Sequence, residues 1–126
     1  MRILYIAKHH SGGNDDEGAI AFALEKLGHE VLCLHESQAA RANDYRADFA
    51  LYHHLKHPGE VLLAAMPKVF WYFDLVEWPG GGARHVERPK WALEMAKVCD
   101  LGFHTDGDWV AKDKTKKLYW LMQGAD

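Results

Sequence analysis

The stretch Met1-Arg2-Ile3-Leu4-Tyr5-Ile6-Ala7-Lys8-His9-His10-Ser11-Gly12-Gly13-Asn14-Asp15-Asp16-Glu17-Gly18-Ala19-Ile20-Ala21-Phe22-Ala23-Leu24-Glu25-Lys26-Leu27-Gly28-His29-Glu30-Val31 decides the fold. Its first apolar run, Ile3–Ala7, is continuous rather than alternating, which is the pattern of a strand covered on both faces. After the Gly12-Gly13 turn the period changes. Ile20, Ala23, Leu24 and Leu27 recur at i, i+3, i+4 and i+7, the spacing of one helix face. Asp15 or Asp16 can cap the start of that helix, and Gly28 suits the left-handed residue that ends one. A second apolar run follows at Val31–Leu34.

The same alternation continues outward. Further strands are expected at Phe49–Tyr52, Val69–Phe73, Leu101–Phe103 and Leu118–Met122. A second helix is expected from Pro58, a favourable first-turn residue, to about Met66. A third is expected to start near Pro89, with Ala92, Met95, Ala96 and Cys99 on its apolar face. Glu36–Arg46 is polar and reads as loop or a short helix. Strands alternating with helices imply parallel pairing through right-handed crossovers. The expectation is therefore a single α/β domain of Rossmann-like type over residues 1–126: a doubly wound, mostly parallel sheet of about six strands, with helices on both faces.

Composition bounds what such a domain can do. Apolar residues make up 48% of the 126, enough for a core, and the net charge is -3 from 15 Lys+Arg and 18 Asp+Glu. An acidic balance opposes a nucleic-acid partner, whose phosphates require a basic face. No apolar run approaches the roughly 20 residues of a transmembrane helix. The first ten residues lack the apolar length and cleavage site of a signal peptide. Cys33 and Cys99, each in an apolar stretch, read as free buried thiols rather than a disulfide. Together these points favour the cytoplasm.

Doubly wound sheets bind ligands outside the carboxyl ends of their strands, so the residues after each strand carry the functional reading. The loop after the first strand holds Gly12, Gly13 and Asn14, where the backbone can approach a ligand closely. It lacks the GxGxxG spacing of a dinucleotide site. Asp15, Asp16 and Glu17 also sit where a helix N-terminus would otherwise attract phosphate, which favours a neutral, hydroxyl-rich ligand such as a sugar. Asp74, directly after the fourth strand, is placed for general-base work, or alternatively for a turn or a pair with Arg84 or Arg88. It opens a long segment carrying Glu77 and Trp78, the latter able to stack on a sugar ring or to anchor the loop. His104, Thr105 and Asp106 follow the fifth strand, with Thr105 or Asp106 also able to cap the next helix. Nine histidines are scattered through the chain, but neither HExxH nor a Cys/His ligand spacing occurs, so no metal site is expected.

Four phrases, in order across nearly the whole chain, resemble the N-terminal domain of GT-B glycosyltransferases of the family 4 type. They are the opening Met1–Ile6 with Gly12-Gly13; Leu24-Glu25-Lys26-Leu27-Gly28-His29-Glu30-Val31; Cys99-Asp100-Leu101-Gly102-Phe103-His104-Thr105-Asp106; and Leu121-Met122-Gln123-Gly124-Ala125-Asp126. The resemblance implies transfer of a sugar from a nucleotide-sugar donor to an acceptor. Gly12-Gly13 would approach the donor and acceptor at an interdomain cleft, Asp74 would lie near the reacting sugar, and Thr105 would precede the fifth helix. Gly124 and Asp126 would mark the crossing to a second, donor-binding domain. That domain is absent from these 126 residues, so this half is expected to be inactive alone and to need a C-terminal domain, a separate partner chain or a homodimer. Three other readings compete. A non-catalytic binding or scaffolding module, or partner subunit, would use the aromatic residues Trp109, Tyr119 and Trp120 as a surface. A nucleotide-binding domain would bind NAD or a nucleoside diphosphate. A receiver-type signalling domain would need an Asp after the third strand, where His53-His54 stands.

Overall fold

The structure, a computed structural model, describes residues 1–9, 15–53, 58–72, 93–105 and 107–121. Six strands form one sheet: β1 Arg2–Ala7, β2 Glu30–His35, β3 Phe49–His53, β4 Lys68–Tyr72, β5 Leu101–His104 and β6 Leu118–Trp120. The spatial order is β2-β1-β3-β4-β5-β6, and every neighbouring pair is parallel. Ile3 pairs with Val31 on one side and Phe49 on the other, and the register carries through Tyr52–Phe70 and Tyr72–His104 to His104–Trp120. The chain thus steps outward from β1 to β2, returns across β1 to β3, and proceeds in one direction. That reversal makes the gap between β1 and β3 the topological switch point, where open α/β sheets take ligands.

The central strands form because their apolar residues are covered on both sides. Along β1 only Arg2 is exposed. Alternate residues belong to two clusters, as the two-residue period of a strand requires. Leu4, Ile6, Tyr52, Phe70 and Tyr72 pack with Ala39 and Ala42 of a 3-10 segment at Glu36–Asp44, with Val61 of α2 (Pro58–Leu62), and with Met95 and Ala96 of the helical residues 93–98, α3. Ile3, Tyr5, Ala7 and Leu51 form the second cluster, against which Ile20, Ala21 and Leu24 of α1 (Asp16–Lys26) pack. A short helix, α4 (Gly107–Lys112), joins β5 to β6. Full burial of each Ile or Leu contributes about 1.5–3 kcal/mol, so β1 is a large share of the core.

Several local expectations change. The face of α1 that packs on the sheet is Ile20, Ala21 and Leu24, each half-buried; Ala23 is exposed and Leu27 is 74% exposed. Leu27 is the C-cap, and Gly28 turns the chain away with φ +93°, so the last apolar residue of the pattern lies beyond the packed turns. α2 stops at Leu62 rather than Met66. The Asn43 side-chain amide donates to the Leu63 carbonyl at 2.7 Å, and its oxygen accepts from Ala65 N–H at 2.8 Å, holding residues 63–65 in a turn. Of the loop or short helix expected for the polar segment, the structure has the helix, a 3-10 one over Glu36–Asp44 that buries Ala39 and Ala42. Cys99 is buried as expected, but Cys33 is exposed, because β2 is an edge strand. Tyr119 and Trp120 are exposed at the other edge. Phe73, Pro89, Ala92 and Met122 lie outside the described residues.

Candidate functional site

At the carboxyl ends of β1 and β3 the sheet gathers polar rings rather than aliphatic side chains. Tyr5 and His53 belong to adjacent strands, and the Tyr5 hydroxyl and His53 Nδ1 share a hydrogen bond of 2.8 Å. His53 is only 2% exposed and Tyr5 is fully buried. The register explains the meeting: Tyr5 pairs with Leu51, and His53 is the next residue of β3 on the same face. Just beyond β1, the His9 ring stands edge-on to Tyr5, 4.9 Å between centroids, and its Nε2–H donates to the Tyr5 carbonyl at 3.0 Å. On the far side His53 stacks with Trp71 of β4 at 6.2 Å. Four rings therefore cross the switch point in a row. Burial, followed by the negative charge of Glu17, pushes the Tyr5 phenol far above its ordinary pKa, so it remains a protonated hydroxyl.

α1 begins above this row because it follows β1. Asp15 caps it: one carboxylate oxygen accepts from Gly18 N–H at 2.8 Å. The second oxygen, Oδ2, is buried and has no hydrogen-bond partner among the described residues. A carboxylate offers acceptors only, so that atom is matched to a hydroxyl or amine donor and repels phosphate. Asp16 and Glu17 extend the negative charge through the first turn. The sequence marks Asp15 as a cap and as part of an acidic helix start that disfavours phosphate, but not as the holder of a second, buried acceptor oxygen. Sequence reading missed Tyr5 and His53 because an aromatic inside a strand and a histidine at its end carry no distinguishing spacing.

Of the residues expected at the site, His104 and Thr105 are described. They lie at the end of β5, two strands from β3. His104 is fully buried, with its ring 5.1 Å from that of Tyr72. The backbone of Thr105 is tied on both sides: its N–H donates to the Tyr72 carbonyl at 3.2 Å, and its carbonyl accepts from Trp120 Nε1–H at 2.9 Å. Its hydroxyl oxygen is buried with no hydrogen-bond partner among the described residues, and so makes no capping bond to the described residues of α4. Gly12, Gly13, Asn14, Asp74, Glu77, Trp78 and Asp106 lie outside the described residues.

Two further features bear on the site. A groove of about 390 Å³, lined by Asn43, Tyr45, Arg46, Met66 and Pro67 among others, opens beside the starts of β3 and β4. That is the amino end of the sheet, opposite the end where such sheets bind ligands. Among the described residues, no group of three His, Cys, Asp or Glu side chains is arranged to hold a metal ion, and no helix is long and apolar enough to cross a membrane. The sequence matches no protein-family model and no curated protein.

Proposed function

We propose that this chain is the acceptor-side half of a GT-B-type glycosyltransferase and that it binds a neutral, hydroxyl-rich acceptor at the carboxyl ends of β1 and β3. The observation that carries the reading is the state of Asp15. Its Oδ1 holds the helix N-terminus, and its buried Oδ2 is an acceptor at the switch point of the sheet with no hydrogen-bond partner among the described residues. The positive end of α1, which would otherwise draw a diphosphate, is occupied by the protein's own carboxylates. A sugar hydroxyl can donate to Oδ2 without repulsion. In this reading the nucleotide-sugar donor is held chiefly by a C-terminal domain or partner subunit, Asp74 serves the transfer step, and the protein works in the cytoplasm. Closure of the two halves brings donor and acceptor together.

Binding is measured first on the chain alone, by amide chemical shifts during titration with neutral mono- and disaccharides, with UDP, and with NAD. Saccharide-induced shifts centred on Asp15, His9 and His53, lost in Asp15→Asn, are expected; the asparagine keeps a capping oxygen while removing the charge. Binding of UDP or NAD there instead would replace this reading with a nucleotide-binding domain. With the donor-binding half supplied, Asp74→Asn is expected to abolish transfer and leave folding intact. Saccharide binding without transfer by the reconstituted wild-type pair would make the chain a binding module.

A further inference from the structure

β6 is an edge of the sheet, and its side chains do not protect it. Protected edges commonly carry lysine or proline in the strand itself. In β6 the exposed residues are Tyr119 and Trp120, at 54% and 60%. Successive residues of a strand point to opposite faces, so the two rings flank the open edge from either side. Both are held against β5. Tyr119 packs on Phe103 with centroids 6.3 Å apart, and Trp120 donates its indole N–H to Thr105 O at 2.9 Å.

The backbone of the edge is equally defined. Lys117 O accepts from Gly102 N–H, and Leu121 N–H donates to His104 O. Residues 117, 119 and 121 therefore turn their peptide groups toward β5, and 118 and 120 turn theirs outward. Leu118 N–H is engaged by Asp113 at 2.9 Å. This leaves Leu118 C=O and both peptide groups of Trp120 facing away from the sheet.

The approach to this edge is positively charged. Lys114 and Lys116 are exposed, and neither forms an ion pair among the described residues. Asp113, the acidic residue among them, is buried, with its carboxylate engaged by Thr115, Lys117 and Leu118. Lys116 takes a left-handed conformation, φ +60°, that a non-glycine residue adopts only when its surroundings hold it. The loop thus turns its carboxylate inward and its lysines outward.

We propose that β6 is a docking edge for an acidic, extended segment of a partner protein. The segment adds as a seventh strand, hydrogen-bonded to Leu118 and Trp120 between the two aromatic walls, with its carboxylates meeting Lys114 and Lys116. Strand addition uses main-chain hydrogen bonds for affinity and flanking side chains for selection. Identical chains are not the fitting occupant, because β6 itself carries no carboxylate to meet Lys114 and Lys116.

The test titrates the isotope-labelled chain with an eight-residue peptide alternating Val and Glu, read by the backbone and indole amides of Trp120. Saturable shifts at Leu118–Leu121, weakening with salt, are expected. Lys114→Glu with Lys116→Glu is expected to weaken binding by about tenfold, with the amide spectrum of the core unchanged. The same peptide N-methylated at alternate residues is expected not to bind. Four results would overturn the proposal: no shifts; equal binding by the methylated peptide; an oligonucleotide that binds this edge while the peptide does not; or self-association through β6 in sedimentation at concentrations where no peptide binds.

Discussion

The Tyr5 hydroxyl lies 2.8 Å from His53 Nδ1, joining two adjacent parallel strands at the switch point through side chains that are both buried. A polar pair so placed adds stability only while both partners are present, because either one left alone is a buried group without its hydrogen bond.

Tyr5→Phe keeps the ring and its contacts but removes that hydroxyl. The loss is expected to be about 1–3 kcal/mol in denaturant unfolding, with an unchanged m-value. A variant as stable as the parent would mean that the pair adds nothing to stability.

Alkaline titration follows the same pair. Burial raises the pKa of Tyr5, and it raises Tyr52 from 10.0 to about 12. Both pKa values are higher in the folded state, so the neutral phenol is favoured by folding. Their contribution is complete below pH 10 and is lost as pH rises above it through the folded pKa values. Tyr5 and Tyr52 are expected to ionise only as the protein unfolds, seen as a late step in absorbance coincident with loss of helical circular dichroism.

Asp113 is expected to govern the acid limb. Burial pushes its carboxyl upward, but the bonds from the Thr115 hydroxyl and from the N–H groups of Leu118, Thr115 and Lys117 outweigh that and hold it below its usual value of 3.8. Its folded pKa is depressed, so its contribution is present above pH 3.8 and disappears as pH falls through the folded value. Asp113→Ala strands the Thr115 and Leu118 N–H groups, leaves Lys117 N–H only its 3.3 Å bond to the Thr115 hydroxyl, and is expected to cost about 3 kcal/mol. Asp113→Asn should retain part of the turn and flatten the acid limb of the stability curve.

Gly102 marks where β5 meets β6 most closely. A Cβ there would lie 2.6 Å from Leu118 Cδ2, a contact that requires Leu118 to move. Gly102→Ala is expected to destabilise by about 1–3 kcal/mol. Combined with Leu118→Ala it should cost clearly less than the sum of the two single changes, since the smaller side chain removes the clash. Strict additivity would show that the strands separate instead.

The thiols give an independent check of the edge assignment. Burial, then the charge of Glu25, raises the pKa of exposed Cys33, and burial raises that of Cys99 to about 12. One thiol is expected to react with an aromatic disulfide reagent in the native protein, slowly at pH 7 because thiolate is scarce. The second should react only after denaturation. Two native reactive thiols would mean that α3 does not seal Cys99.

The strands were legible in the sequence because a strand buried on both faces needs a continuous apolar run, and six such runs stand within one or two residues of β1–β6. The Asp15 cap and the left-handed Gly28 were legible for the same kind of reason, since each is a requirement of local backbone geometry. What only the tertiary structure decided depends on pairing between distant segments. Tyr5 and His53 are 48 residues apart, and nothing local distinguishes either from an ordinary core residue. Their meeting follows from the order β2-β1-β3 and from a register in which a shift by one residue would send His53 to the other face. The same holds for α1, whose buried face was set by contact with the sheet rather than by its own periodicity. It holds also for Cys33, Tyr119 and Trp120, which are apolar by composition and exposed on β2 and β6, the two outer strands among the described residues.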